Sequence, residues 1–510
     1  MKNHPVCPPS RKTPATGRVR PDHAADSSYT VPVESLGMTD PFVVVGGDAA
    51  GLSAASKCRR EDPDREVVVF EKGQWISYAH CGTPYYVKGE VERLDDLLSL
   101  SPEAAGDRGI DVRRGHEVVA VDTDAQTVTV VADGERSVQP YGDLLVATGA
   151  RAVTPIPGAD RDGVFSLHGL DDAAAIRAAL ADPAGETPDA IEHENVDRER
   201  VERCVAMAPP ETVAIVGGGY VGVEMAEAFR AHDLDVHLFQ RPERLLPPFG
   251  EVVGETVAER LRDHDVTLHL DTEVAELAGD GQIDRVECEG TSLDVDMALV
   301  GVGIRPNVDL LSETPVELGE SGAVAVDDYG RTNVEGVYAA GDCAEMRHAV
   351  TGDPDWVPLG LTANRAGRAI GQTVAGDPDP VGTIAGTAVV KAFEEEAGRA
   401  GIIDHERAAA AGFDPVSETI TAGSRSGYYP GNAETTVTLT ADRESGRLLG
   451  GAIVGTDRAA IRIDTVATAL EAGMTVGELE RTDLAYAPPF SPVWDPILVG
   501  AKVLRGSLAE

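Results

Sequence analysis

An α/β fold with two Rossmann-like dinucleotide-binding domains and a separate C-terminal α+β domain is predicted by three observations. A strand, a Gly-rich turn, a helix and a second strand occur in that order twice, near residues 42–70 and 213–239. The 510 residues are too many for one core. From about residue 382 the character changes, and apolar strands at 435–439 and 448–454 alternate with helical segments such as 457–472.

The first unit reads as strand 42–45, turn 46–51, helix 52–60 and strand 66–70. Its turn, Gly46-Gly47-Asp48-Ala49-Ala50-Gly51, departs from G-x-G-x-x-G because Asp48 stands at the second glycine. Context supplies the meaning. The helix N-terminus can take a pyrophosphate, and Glu71, followed by Lys72, closes the next strand where a carboxylate can accept from a ribose diol. The second unit runs through strand 213–216, turn 217–222, a helix to about 231 and strand 236–239. Its turn is a complete fingerprint, with Gly217, Gly219, Tyr220, Val221 and Gly222. Gln240 occupies the acidic position, Arg241 follows, and Arg244 is near. A missing carboxylate beside arginines suits a 2′-phosphate, which favours NADPH over NADH.

Composition narrows the class. Acidic residues outnumber basic ones 86 to 44, for a formal charge of −42. Such a surface repels nucleic acid and anionic membranes. The acid is spread along the chain rather than blocked in one tail, which predicts a halophilic, salt-adapted surface more than an acidic docking face. No run of 18 apolar residues predicts a membrane span. The six cysteines form no C-x2-C pair or ligand cluster, so a reducing cytoplasm is expected, with no bound metal and no disulfide framework. Residues 1–37 lack apolar periodicity and read as a disordered extension. An acidic, Pro-punctuated insertion (Asp189, Glu192, Glu194, Asp197, Glu199) spans about 181–211.

Two further elements are strand-to-turn junctions. Residues 144–150 form an apolar strand ending in Ala147-Thr148-Gly149, and residues 332–342 end in Tyr338-Ala339-Ala340-Gly341-Asp342. Over residues 42 to about 505 the chain resembles the FAD-dependent pyridine nucleotide-disulfide oxidoreductases. The resemblance implies FAD at the first unit and NADPH or NADH at the second. Asp342 would offer its carboxylate to a flavin ribityl hydroxyl, Ala363 would also lie at FAD, and Gly303 at a cofactor. The implied domains are 38–155 with 308–381 for FAD, 156–307 for NAD(P), and 382–510 for homodimerisation.

Within that superfamily, Ser77-Tyr78-Ala79-His80-Cys81-Gly82-Thr83-Pro84-Tyr85-Tyr86 resembles the single-cysteine branch. A C-x4-C pair would need a cysteine where Tyr86 stands. A lone redox thiol must pair with a substrate thiol or with oxygen as a sulfenic acid. Tyr486-Ala487-Pro488-Pro489-Phe490-Ser491 is similar to the coenzyme A-disulfide reductases, as is Ala49, where NADH peroxidases and many oxidases carry a histidine. Carried over, Cys81 is the nucleophile toward coenzyme A disulfide. Ser53, Lys57, Arg60 and Ser77 lie along the coenzyme A path, and Tyr486 reaches the partner's active site. His80, where the reductases usually have Asn, is a proton relay or a packing residue. Gly109 and Trp494 replace expected lysines, with Arg108, Arg113 and Arg114 as candidate substitutes, and Glu394 or Glu395 stands in for a second tyrosine. The run Glu394-Glu395-Glu396 reads as a solvated turn, and Cys58 and Cys343 as packing residues. Cys81 at a loop-to-helix start is expected to have a lowered pKa. The expected activity is NAD(P)H-dependent coenzyme A-disulfide reduction. An NAD(P)H oxidase, a coenzyme A persulfide or polysulfide reductase and a flavin-bearing redox sensor are the alternatives.

Overall fold

The computed structural model describes residues 40–181 and 193–508. The expected extension 1–37, and Asp189 and Glu192 of the insertion, lie outside them. Two five-stranded sheets, each all parallel, bear out the doubled α/β pattern. The first places Phe42–Val45 at its centre, between Val67–Glu71 and Asp143–Val146, with Asp111–Arg114 and Val337–Ala339 at the edges. The second centres on Thr212–Val216, between Asp235–Phe239 and Met297–Val300, with Val266–His269 and Val164–Phe165 outside. Central strands such as Phe42–Val45 are continuously apolar because helices cover both faces of a parallel sheet.

Each sheet carries an antiparallel three-stranded meander that the sequence reading missed: Glu117–Asp122, Thr127–Ala132 and Glu135–Pro140, then Val274–Ala278, Arg285–Cys288 and Thr291–Asp294. The C-terminal part is a five-stranded antiparallel sheet, ordered Ala388–Ala392, Glu395–Gly401, Leu448–Gly455, Glu434–Asp442, Pro415–Gly423. Helices Ile463–Glu471 and Pro496–Ser507 pack on it. The predicted helix 457–472 is a short 3₁₀ turn, Ala460–Arg462, leading into Ile463–Glu471. The insertion's described part includes the helix Arg198–Val205, N-capped by Asp197.

One reading is corrected. The acidic run at 394–396 is only partly a turn. Glu395 begins a strand, is buried, and pairs with Arg260 at 2.9 Å, while Glu394 pairs with His264 at 2.9 Å. Cys58 and Cys343 are buried, and burial pushes the Cys58 thiol up to about 11. No helix among the described residues is long and apolar enough to cross a membrane.

The packing that positions the site is between helices Ala49–Glu61 and Gly360–Val374. Two glycines of the second helix lie against backbone of the first. A Cβ at Gly367 would sit 2.1 Å from the Ala50 carbonyl oxygen, and one at Gly371 would sit 2.2 Å from that of Ala54. Backbone cannot yield as a side-chain tip does, so Gly367→Ala is expected to cost about 1–3 kcal/mol. A lowered denaturation midpoint of the holoprotein would show it. An unchanged midpoint would mean the helices can part freely.

Candidate active site

Both nucleotide turns are built by backbone contact. Gly46 has φ +111°, and a Cβ there would lie 2.1 Å from the Ala147 carbonyl oxygen. Gly217 repeats this with φ +115° and 2.3 Å to the Gly301 carbonyl oxygen. The residue closing the second strand braces each turn. Glu71 accepts from the Gly47 N–H at 2.8 Å and the Gly73 N–H at 2.7 Å. Gln240 accepts from the Gly218 N–H at 2.8 Å and donates to the Arg244 carbonyl at 3.2 Å. Gln240 thus does the bracing of Glu71 without its charge. Arg241 is exposed beside it, and Arg244 pairs with Glu243 at 2.8 Å. Beyond Gly219, where Tyr220, Val221 and Gly222 open the helix, a Cβ would meet only open space, as it would at Gly303.

Around the first turn several separated residues converge. A Cβ at Gly341 would lie 3.2 Å from the Ala50 Cβ and 3.6 Å from the Ala363 Cβ. The Thr148 hydroxyl donates to the Asn307 carbonyl at 2.6 Å, and the Asn307 N–H donates to the Gly149 carbonyl at 2.9 Å. Lys72 points to solvent. Asp342 is half-buried, and burial raises its pKa while His80 and His168 oppose the shift. No side-chain hydrogen bond to its carboxylate occurs among the described residues, which leaves the acceptor open for a hydroxyl.

Cys81 lies in the 3₁₀ turn His80–Gly82, directly before the helix Thr83–Lys88. The turn is closed by the Thr83 hydroxyl donating to the His80 carbonyl at 2.7 Å. The residue is exposed. Its pKa corrects the expectation of a lowered value. Desolvation pushes the thiol up first, then the negative charges of Glu224 and Asp342. The following helix has only six residues, and its dipole does not overcome them. Glu224 was not read from the sequence. Its carboxyl is pushed up to about 7 by burial, and it accepts from the Tyr85 hydroxyl at 3.1 Å. It stands two residues past Gly222, so the second fingerprint itself carries it toward Cys81. His80 pairs with the Asp48 carboxylate and contacts the His168 carbonyl at 2.9 Å.

Beside this loop runs a groove of about 440 Å³ between the Ala49–Glu61 and Gly360–Val374 helices. Ala49, Leu52, Ser53, Ser56 and Arg60 line it from the first helix, and Leu361, Asn364, Arg365 and Arg368 from the second. Ser77, Ser99, Leu100 and Arg108 complete the wall. A second hollow of about 370 Å³ shares Ser56, Arg60 and Arg108 and adds Arg59. The Ser53 hydroxyl donates to Asn364 at 2.7 Å, joining the two helices. Ser77 sits at φ +46°, an uncommon conformation for a side-chain-bearing residue, where the groove wall turns into the Cys81 loop.

The groove brings Ser53, Arg60 and Ser77 together with Arg108. Lys57 is not in its lining. It is buried and pairs with Glu61. That pairing has an effect on the groove, because Lys57 is the main cause of the lowered Glu61 pKa, with Arg60 and Arg368 adding only field. Arg60, Arg108, Arg365 and Arg368 form no ion pair with a carboxylate among the described residues, although the chain has 86 acidic residues. Arg113 and Arg114 do not join them. Arg113 pairs with Asp111 at 2.6 Å, and Arg114 is bonded to Asn195 at 3.0 Å. Arg365 and Arg368 were missed by the sequence reading. Their signal was the spacing 361, 364, 365, 368, one face of a helix.

Tyr486 is exposed, as are Phe490, Val493 and Trp494 on the same C-terminal segment. Four large apolar side chains so close in sequence form an exposed apolar stretch in this single chain, with Arg458 over the Phe490 ring and Lys502 over the Trp494 ring. No group of three or more metal-binding side chains occurs among the described residues.

Residues 40–361 match the pyridine nucleotide-disulphide oxidoreductase family, and residues 387–496 match its dimerisation domain. The chain belongs to this family and is an oxidoreductase. It is 38% identical over 470 residues to the NAD(P)H coenzyme A polysulfide/persulfide reductase of Pyrococcus horikoshii, covering 92% of this chain and 99% of that one. It is 29% identical to the coenzyme A disulfide reductase of Staphylococcus haemolyticus, covering 90% and 98%. The solved structure of an NAD-dependent persulfide reductase from A. fulgidus superposes with a TM-score of 0.83 at 32% identity, over 92% of this chain and 83% of that one.

The Cys81 pKa can be tested directly. Above about pH 7, where Glu224 is charged, its field opposes the thiolate. Glu224→Gln is therefore expected to move the midpoint of Cys81 alkylation by iodoacetamide to lower pH, followed by peptide mass spectrometry. An unmoved or higher midpoint would contradict that coupling.

Proposed function

We propose that this chain is an FAD-dependent NAD(P)H oxidoreductase that reduces sulfur bonded to coenzyme A, with Cys81 as its single redox thiol. The observation that carries the reading is the groove that reaches Ser77 at the start of the Cys81 loop, whose arginines have no carboxylate partner among the described residues. Coenzyme A carries a diphosphate and a 3′-phosphate, and guanidinium groups match such anions in charge and fork geometry. In a chain of charge −42, a cationic groove is the place where a polyanion can bind.

FAD fits the first sheet's turn, through the open acceptor of Asp342, the braced backbone at Gly46–Gly47 and the small residues Ala50, Gly341 and Ala363. NAD(P)H fits the second turn, where the neutral Gln240 and exposed Arg241 favour NADPH. Bound FAD supplies the two-electron relay between NAD(P)H and sulfur. The residues of the chain do the rest. The Cys81 thiolate attacks one sulfur of coenzyme A disulfide, the S–S bond breaks, and coenzyme A leaves as a thiolate that takes a proton. Two electrons then cleave the Cys81–coenzyme A disulfide, releasing the second thiol and restoring Cys81. The sum is NAD(P)H, a proton and the disulfide going to NAD(P)⁺ and two thiols. A coenzyme A persulfide is attacked in the same way, with sulfide as the leaving group. Greater identity to the P. horikoshii polysulfide/persulfide reductase than to the S. haemolyticus disulfide reductase supports this second acceptor.

The dimerisation match and the exposed Tyr486, Phe490, Val493 and Trp494 support a homodimer in which Tyr486 reaches the partner's groove. The acid-rich composition supports a halophilic protein working in molar salt, where a Debye length of about 3 Å screens self-repulsion, and the six scattered cysteines support a reducing cytoplasm.

The test is anaerobic NADPH oxidation by the holoprotein in molar KCl, with coenzyme A disulfide or coenzyme A persulfide as sole acceptor. Stoichiometric thiol or sulfide release that is lost in Cys81→Ser is expected. Arg60→Ala with Arg368→Ala is expected to raise KM for either acceptor roughly tenfold or more. The same pair should leave turnover of inorganic polysulfide, which lacks the nucleotide, nearly unchanged. Oxidation of NADPH only when oxygen is admitted would overturn the sulfur reading in favour of an oxidase. Equal losses on all acceptors would overturn the role of the groove.

A further inference from the structure

Asp48 poses a physical problem. It stands at the second-glycine position of the first Gly turn, where the backbone must approach a diphosphate closely. A bare carboxylate there would add like charge at the place built to receive anions. Asp48 is also the N-cap of the helix Ala49–Glu61, yet its side chain caps none of the helix N–H groups. N-cap aspartates usually do.

The carboxylate is engaged elsewhere. One oxygen accepts from the Tyr78 N–H at 3.1 Å, and the other pairs with the His80 ring. The far side of that ring is fixed too, because His80 Nδ1 meets the His168 carbonyl at 2.9 Å. A carbonyl and a carboxylate both accept. A ring protonated on both nitrogens, the imidazolium, donates to both at once, and the carboxylate and carbonyl favour that form of His80. Tyr78 stacks on it with ring centroids 4.2 Å apart. The first-turn N–H groups of the helix are thereby left for another acceptor.

We propose that His80 is a positioning residue for the dinucleotide: its fixed imidazolium draws the Asp48 carboxylate off the helix N-terminus and cancels its charge. The same contact ties the phosphate-binding turn to the loop that carries Cys81. Two departures from the family pattern, Asp48 in one motif and His80 in another, are thus one compensated pair. The inference rests on the first turn being the FAD seat. It does not depend on which sulfur compound is reduced.

The pair also sets a pH dependence. The groups acting on His80 are Asp48 from the turn, the His168 carbonyl and Asp342, with the Tyr78 and His168 rings beside it; Glu71 and, from the first turn of the Leu170–Ala179 helix, Asp171 and Asp172 act on the neighbouring Tyr78. Burial opposes the charge on His80, but the Asp48 hydrogen bond and charge, the His168 carbonyl and Asp342 together raise its pKa above the ordinary value. His168 is pushed the other way, by burial and by His80 itself. Compensation is therefore present below the raised His80 pKa and is lost as pH rises through it.

The experiment measures FAD dissociation from the holoprotein by the recovery of flavin fluorescence on dilution, for wild type, His80→Gln, Asp48→Asn and the double variant. His80→Gln leaves a lone carboxylate beside the diphosphate and is expected to raise the FAD Kd about tenfold or more. Asp48→Asn with His80→Gln removes both charges and is expected to return most of the affinity, as the non-additivity of paired charges requires. Wild-type Kd should rise toward alkaline pH, and that rise should vanish in the double variant. Unfolding midpoints of the four proteins separate loss of binding from loss of fold. A His80→Gln protein that holds FAD as wild type does would overturn the proposal. So would a double variant as weak as His80→Gln. A wild-type protein that binds no FAD would overturn the seat reading, and the inference with it.

Discussion

The site depends on two helices meeting backbone to backbone. Helix Ala49–Glu61 begins at the first nucleotide turn and ends in the cationic groove, and helix Gly360–Val374 lies against it through Gly367 and Gly371. Contact this close is available only where one partner has no Cβ. It fixes the spacing of the groove walls, and Ser53 and Asn364 bond across them. It also holds Ala363 near Gly341 and Ala50, beside the carboxylate of Asp342. One packing constraint therefore sets the dinucleotide turn, the groove and, through Ser77, the segment leading to the thiol.

Electrostatics then divide the labour. The chain is acidic overall, and the neighbourhood of Cys81 shares that character, with Glu224 and Asp342 both opposing the thiolate. The protein's own carboxylates thus disfavour the thiolate form of Cys81. The second charge pattern is the opposite one. Lys57 occupies Glu61, and Arg60 and Arg368 are left to face the groove. Cationic side chains are few in this sequence, and four arginines of one groove have no carboxylate partner among the described residues, which supports the proposed anionic ligand.

Much of this was legible in the sequence. The two turns follow from their glycine spacing, the strands and the change of character near residue 382 from local apolar patterns, and the Cys81 loop from its resemblance to a known family. Other features depend on distant segments. Nothing local to Asp48 shows that its charge is met by His80, 32 residues away. Arg365 and Arg368 join Arg60 only because two helices separated by some 300 residues pack together. The direction of the Cys81 shift was misread because a helix start suggests a stabilised thiolate. The opposing carboxylates come from the second sheet's helix and from the turn after Tyr338. The meander Glu117–Asp122, Thr127–Ala132, Glu135–Pro140 was visible as alternation with an Asp133-Gly134 turn and was passed over.

The central claim is that one thiol, Cys81, forms a covalent bond with coenzyme A as part of turnover. Intact-mass and peptide mass spectrometry of the holoprotein, treated anaerobically with coenzyme A disulfide, tests it most directly. One coenzyme A adduct per chain is expected, on the peptide containing Cys81, released by NADPH and absent from Cys81→Ser. No adduct, an adduct on another cysteine, or one that NADPH does not release would contradict the account.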